Sequence, residues 1–119
     1  MTIKVYGIDS CGTVKKAKKW LEERGVDYEW SDFRKAAPSE AQVAQWTDAL
    51  GAKKMRNTSG GAYRALGEEK KNWSDAKWTS EFARDAMLIK RPIIERNGQP
   101  VLVGFRGTDE SLEEILLKG

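Results

Sequence analysis

The sequence predicts an α/β domain built on a four-stranded mixed sheet flanked by helices, with an all-helical insert over about 38–90. Three observations carry that expectation. The chain opens with a strand–turn–helix–strand pattern, its middle shows helical spacing, and its tail reads as a hairpin followed by a helix.

Residues 3–8 give the first strand, with Ile3, Val5 and Ile8 apolar around Tyr6 and Gly7. Gly7 to Thr13 is the turn, and Thr13 is a candidate cap for the helix that follows. In that helix Val14, Ala17 and Leu21 form one apolar stripe with Trp20 beside it, while Lys15, Lys16, Lys18 and Lys19 stand apart from it. Gly25 is placed to close the helix as its C′ residue. Residues 26–31 alternate apolar and polar, as a second strand does. A strand–helix–strand unit of this kind implies a parallel pair with a right-handed crossover.

After a loop over 32–38, Ser39 stands three residues before Gln42, a capping-box spacing, and Val43, Trp46 and Leu50 follow as a stripe that Gly51 ends. Residues 52–78 carry the weakest pattern: a break at Thr58–Gly61, then Tyr63 and Leu66 on a short helix. A further helix is expected from about Ser80, with Phe82, Ala86 and Ile89 on one face and Arg91–Pro92 as its stop. Pro92–Glu95 and Val101–Val103 flank Asn97–Gly98, a strong hairpin signal, and Leu112, Ile115 and Leu116 mark a closing helix from near Thr108 or Asp109. The order β-α-β, helical insert, β-β-α is a thioredoxin-like plan. One domain over 1–119 is expected, without repeats or low-complexity segments.

Composition narrows the chemistry. The chain has no histidine, which excludes Ser–His and Cys–His catalysis and zinc sites with histidine ligands. Its one cysteine cannot close an intramolecular disulfide or build a four-cysteine metal site, and no acidic cluster has the spacing of metal ligands. A net charge of +3 with interleaved signs points away from direct nucleic-acid binding. No apolar run approaches a membrane span and no signal-peptide core precedes the first strand, so no membrane contact and a cytoplasmic address are expected.

Cys11 is the residue around which a function can be built. A thiol at a helix N-terminus faces open backbone N–H groups and the positive end of the helix dipole, which favour its anion. The plainer alternative is a small buried hydrophobe. Among the tryptophans, Trp20 and Trp46 lie on apolar stripes and are expected in the core, with Trp30 ambiguous on the second strand. Trp73 and Trp78 are expected to pack the insert onto the rest of the domain, the other reading being a groove beside Cys11.

Cys11 followed by Lys16–Ala17, then Lys90–Arg91–Pro92–Ile93–Ile94 and Val101–Leu102–Val103–Gly104–Phe105, resembles the arsenate reductase (ArsC)/Spx family, most closely its YffB-like branch. The resemblance runs from residue 3 to about 116. It implies Cys11 as the nucleophile on an oxyanion or disulfide, Arg91 on the anion site, and Pro92 as a cis proline facing the thiol. Lys16 would help to hold the thiolate, and Arg56, Arg106 and Thr13 are further candidates for the anion cradle. The chain departs from the family pattern at three places. Ser59 stands where a YffB-type arginine is expected, with Arg64 as a substitute, and Arg106 is off register for the last arginine. Val14 occupies the second position of the Cys-x-x-Cys switch that Spx regulators use.

The expected function is therefore an arsenate-reductase-like monothiol oxidoreductase. It would have no bound cofactor or metal, a small disulfide or oxyanion as substrate, and glutathione or a glutaredoxin-like protein as donor. The alternative is a non-enzymatic Spx-like module in which the Lys15–Lys19 face contacts RNA polymerase.

Overall fold

The computed structural model describes residues 1–118. In chain order the elements are β1 (Ile3–Gly7), α1 (Gly12–Glu23), β2 (Glu29–Asp32), α2 (Glu40–Leu50), α3 (Ala52–Met55), α4 (Gly61–Arg64), α5 (Asp75–Arg84), β3 (Ile93–Arg96), β4 (Gln99–Val103) and α6 (Leu112–Leu117). Short 3-10 turns occupy Glu68–Asn72 and Ala86–Leu88. The chain divides into two compact units, Met1–Ala36 with Arg91–Gly119, and Ala37–Lys90.

The first unit holds the mixed sheet, in the order β2-β1-β3-β4. β1 runs parallel to β2, with Gly7 opposite Asp32, and antiparallel to β3, with Tyr6 opposite Ile93. One face of the sheet buries Ile3, Val5 and Ile94 against Ala17, Trp20 and Leu21 of α1 and Leu112 and Leu116 of α6. That is the apolar stripe read from the sequence, and it explains why α1 presents lysines elsewhere. On the other face Tyr6 and Glu95 are buried together, the phenol donating to Glu95 Oε1 at 2.9 Å. A buried carboxylate needs such a partner.

α1 ends in a Schellman motif. Gly25 takes φ +66°, its N–H reaches the Glu22 carbonyl, and the Val26 N–H reaches Leu21. This delays the second strand to Glu29, because Val26 is committed to the helix end. β1 stops at Gly7 for a similar reason, since the Ile8 carbonyl accepts the Cys11 N–H and begins the turn. The β3–β4 hairpin turns through Asn97 (φ 52°) and Gly98 (φ 79°), both left-handed, as its tight turn requires. Pro100 sits in edge strand β4 opposite Glu95, beside a register shift, where a missing N–H costs no ladder bond. α6 begins at Leu112, later than expected, because the Asp109 carboxylate takes the Ser111 N–H and hydroxyl in a local turn.

The second unit is all helical. Ser39 caps α2 by accepting the Gln42 N–H at 3.1 Å, and Gly51 ends it at φ +91°. α5 differs from the sequence expectation at both ends. It starts at Asp75, capped by Ser74 onto the Lys77 N–H, and stops at Arg84, well before Arg91–Pro92. There Asp85 accepts the Met87 N–H at 2.9 Å and turns the chain into 3-10 geometry. Trp78 is fully buried within this unit, against Tyr63, Trp73 and Phe82.

Candidate active site around Cys11

Register alone gathers one end of the sheet. Because β1 is parallel to β2 and antiparallel to β3, the C-terminal ends of β1 and β2 and the start of β3 share that end. The segment leaving β1 carries Cys11, the segment leaving β2 carries Arg34, and the segment entering β3 carries Arg91–Pro92.

Cys11 is partly exposed and is the N-cap of α1, with extended backbone angles and no side-chain cap bond. Its carbonyl accepts the first bond of the helix, from the Lys15 N–H at 3.1 Å, so the amides of Gly12, Thr13 and Val14 precede the hydrogen-bonded ladder. The open N–H groups of the helix start therefore lie beside a partly exposed Cys11, with no acidic residue in the first turn.

Gly7 is the point where the pieces meet. A Cβ there would lie 2.6 Å from Val14 Cγ2 and 3.6 Å from Cβ and Cγ of Arg91. Only a bare backbone lets the first turn of α1 and the stem of Arg91 lie against the end of β1. The Arg91–Pro92 peptide is cis, and the Pro92 carbonyl accepts the Gly104 N–H at 2.8 Å.

The loop before Cys11 is held from β2. The Phe33 N–H donates to the Gly7 carbonyl at 2.7 Å, and the buried Asp32 carboxylate accepts the Arg34 N–H at 2.8 Å and the Asp9 amide. Those contacts hold the Asp32 carboxyl below the usual carboxylate range, the Arg34 amide contributing most. Arg34 Nη1 reaches Ser10 Oγ at 3.4 Å, and Lys18 lies 3.5 Å from Asp9 and over the Trp30 ring. Sequence reasoning passed over Arg34. Its proximity to Ser10 depends on the pairing of Gly7 with Asp32, which no local pattern announces.

Residues 6–115 match the model of the ArsC family. The chain belongs to the ArsC family. YusI, an uncharacterised protein of Bacillus subtilis, is 36% identical over 118 residues, spanning 96% of this chain and 98% of its own. Among solved structures, a YffB protein superposes with a TM-score of 0.86 at 31% identity, covering 97% of this chain and 99% of its own. A possible arsenate reductase from Streptococcus mutans gives 0.82 at 34% identity, covering 94% and 98%. The thioredoxin-like plan read from the element order is the fold of this ArsC-family chain.

The remaining sequence candidates of the ArsC-family chain fall in different settings. Thr13 lies inside α1 and is not its cap; Cys11 takes that place, because helical geometry begins one residue before Thr13. Lys16 is exposed, but helical spacing places Lys15 one turn above Cys11, with Lys16 rotated away from it. Arg106 is exposed in the turn after β4, where its charge acts on Asp109 and its carbonyl accepts the Asp109 N–H. Arg56 belongs to the helical unit. Its guanidinium lies 4.3 Å from the centre of the Trp78 ring, its backbone bridges to Ile89, and its Nε is buried without a hydrogen-bond partner. Arg64 donates to the Ser59 carbonyl and closes that turn. Among the described residues no group of His, Cys, Asp or Glu is arranged to hold a metal ion, and no helix is long and apolar enough to cross a membrane.

Proposed function

We propose that this ArsC-family chain is a monothiol oxidoreductase coupled to glutathione, acting on a small disulfide or an oxyanion of the arsenate type. The observation that carries the reading is the half-exposed Cys11 at the open N-terminus of α1, on the sheet end that also bears Arg91 and Pro92. Similarity to the Streptococcus mutans possible arsenate reductase supports the same class of chemistry.

In the disulfide reaction the Cys11 thiolate attacks one sulfur of the substrate. The substrate S–S bond breaks, a mixed disulfide forms on Cys11, and the other half leaves as a thiolate. A first glutathione thiolate then attacks the substrate sulfur of that mixed disulfide. It releases the Cys11 thiolate and forms a glutathione–substrate disulfide, which a second glutathione reduces to the free substrate thiol. The two glutathiones end as glutathione disulfide, so two electrons move from glutathione to substrate. Arg91 supplies a planar multi-donor cation suited to an oxyanion or carboxylate.

Mixing the protein with glutathione disulfide should add one glutathionyl group by intact mass, and Cys11→Ser should add none. Glutathione-dependent reduction of a small disulfide or of arsenate should likewise vanish in Cys11→Ser. Activity that survives this substitution would sink the proposal. An intact thiol that forms the adduct but turns nothing over would favour the binding-module alternative, with Lys15 and Lys19 as its exposed contact face.

A further inference from the structure

The chemistry assigned to Cys11 leaves the neighbouring Arg34 without a task. Arg34 is exposed, yet both ends of it are placed. Its amide is fixed on the buried Asp32 carboxylate, which also takes the Asp9 amide, so the base of Arg34 and the loop leading to Cys11 share one anchor. Its Nη1 lies 3.4 Å from Ser10 Oγ, in the residue adjoining Cys11. That single long bond to a neutral hydroxyl leaves most of the guanidinium's five donors available.

The nearby acids are already engaged. Asp32 is occupied by the Arg34 and Asp9 amides and by the Asp9 side chain and feels Lys35, and Asp9 also faces Lys18 at 3.5 Å. Arg34 forms no ion pair among the described residues, unlike Arg24 with Glu113 or Arg84 with Glu81. An exposed arginine with a fixed base and no carboxylate of its own is suited to a carboxylate brought by another molecule.

We propose that Arg34 is a specificity residue of the Cys11 site, selecting thiols and disulfides that carry a carboxylate. The proposal rests on Cys11 acting as the nucleophile and adds what the incoming molecule must look like. A carboxylate-bearing disulfide pairs with Arg34 while Cys11 attacks its sulfur, and an uncharged disulfide gains nothing from that residue.

The test compares second-order alkylation of Cys11 by iodoacetate, an anion, and iodoacetamide, its neutral counterpart. Both carry the same leaving group, so the ratio of the two rates cancels changes in thiolate fraction. In Arg34→Gln the iodoacetate-to-iodoacetamide ratio should fall about three-fold at low salt, the scale of one exposed charge interaction. Arg34→Lys should keep most of the wild-type ratio, and salt near 1 M should erase the difference between variants. An unchanged ratio in Arg34→Gln would overturn the proposal, as would an equal fall of both rates, which would mean that Arg34 only holds the loop. Failure of the wild type to react with either reagent would overturn the nucleophile reading as well.

Discussion

The sheet-bearing unit keeps exposed cations at its Cys11 end, whereas the helical insert turns several of its own onto rings and carbonyls. Arg56 lies over Trp78, Lys70 donates to the Tyr63 and Leu66 carbonyls, and Arg64 closes the turn at Ser59. In the sheet unit the division runs from end to end. Arg24 stacks on Trp20 and Arg96 donates to the carbonyls of Ile115 and Lys118, both away from Cys11. At the Cys11 end, Arg34 and Lys15 stay exposed. The lesson is that a guanidinium over an aromatic ring holds a fold together, whereas one held by its backbone amide and a single hydroxyl keeps donors ready for a ligand.

That contrast can be broken most sharply in the insert. Trp78→Ala should lower stability by about 3–5 kcal/mol in urea unfolding, because it empties a site packed by three aromatic rings and Arg56. Trp78→Phe should be much milder, since the indole N–H it removes has no hydrogen-bond partner. A mild Trp78→Ala would mean that the aromatic cluster is not what organises this unit.

Gly7→Ala tests the sheet end. Its methyl would meet Val14 Cγ2 at 2.6 Å, so a loss of about 1–3 kcal/mol is expected from overpacking. The double variant Gly7→Ala, Val14→Ala should recover part of that loss. Additive losses would show that the close approach at Gly7 is not the cause.

The smallest effect is a pH dependence at Asp32. Its carboxyl is held low by the Arg34 amide, so the folded state binds a proton there less readily than the unfolded chain. The resulting stability is fully present above the unfolded carboxyl value of about 3.9 and is lost as pH falls through the lower folded value. The stability gap between wild type and Asp32→Asn should therefore be widest near neutrality and close on acidification. A gap independent of pH would remove the ionised carboxylate from the account.

Much of the architecture was readable from residue spacing because it follows strong local signals. The stripe Val14, Ala17 and Leu21, the Asn97–Gly98 turn and the Ser39 cap each act within a few residues. The helix over 75–84 has no such local signal, because no apolar run follows the Ser74 cap and Asp85 diverts the chain before Ala86 and Ile89 can extend the stripe. The same limit applies to the candidate site. Cys11 was legible from its place after a strand, since a helix start is a local event. Arg34 was not, because only the pairing of two strands distant in sequence brings it to Ser10. The helical rotation that separates Lys15 from Lys16 is set by where α1 begins.

Cys11 is the chain's one thiol. Any disulfide formed at Cys11 joins two molecules, and where a disulfide is the oxidant one half of it stays on the protein while the other leaves as a thiolate. Isolated under conditions that block exchange, the chain would carry a covalent fragment whose mass identifies its reaction partner.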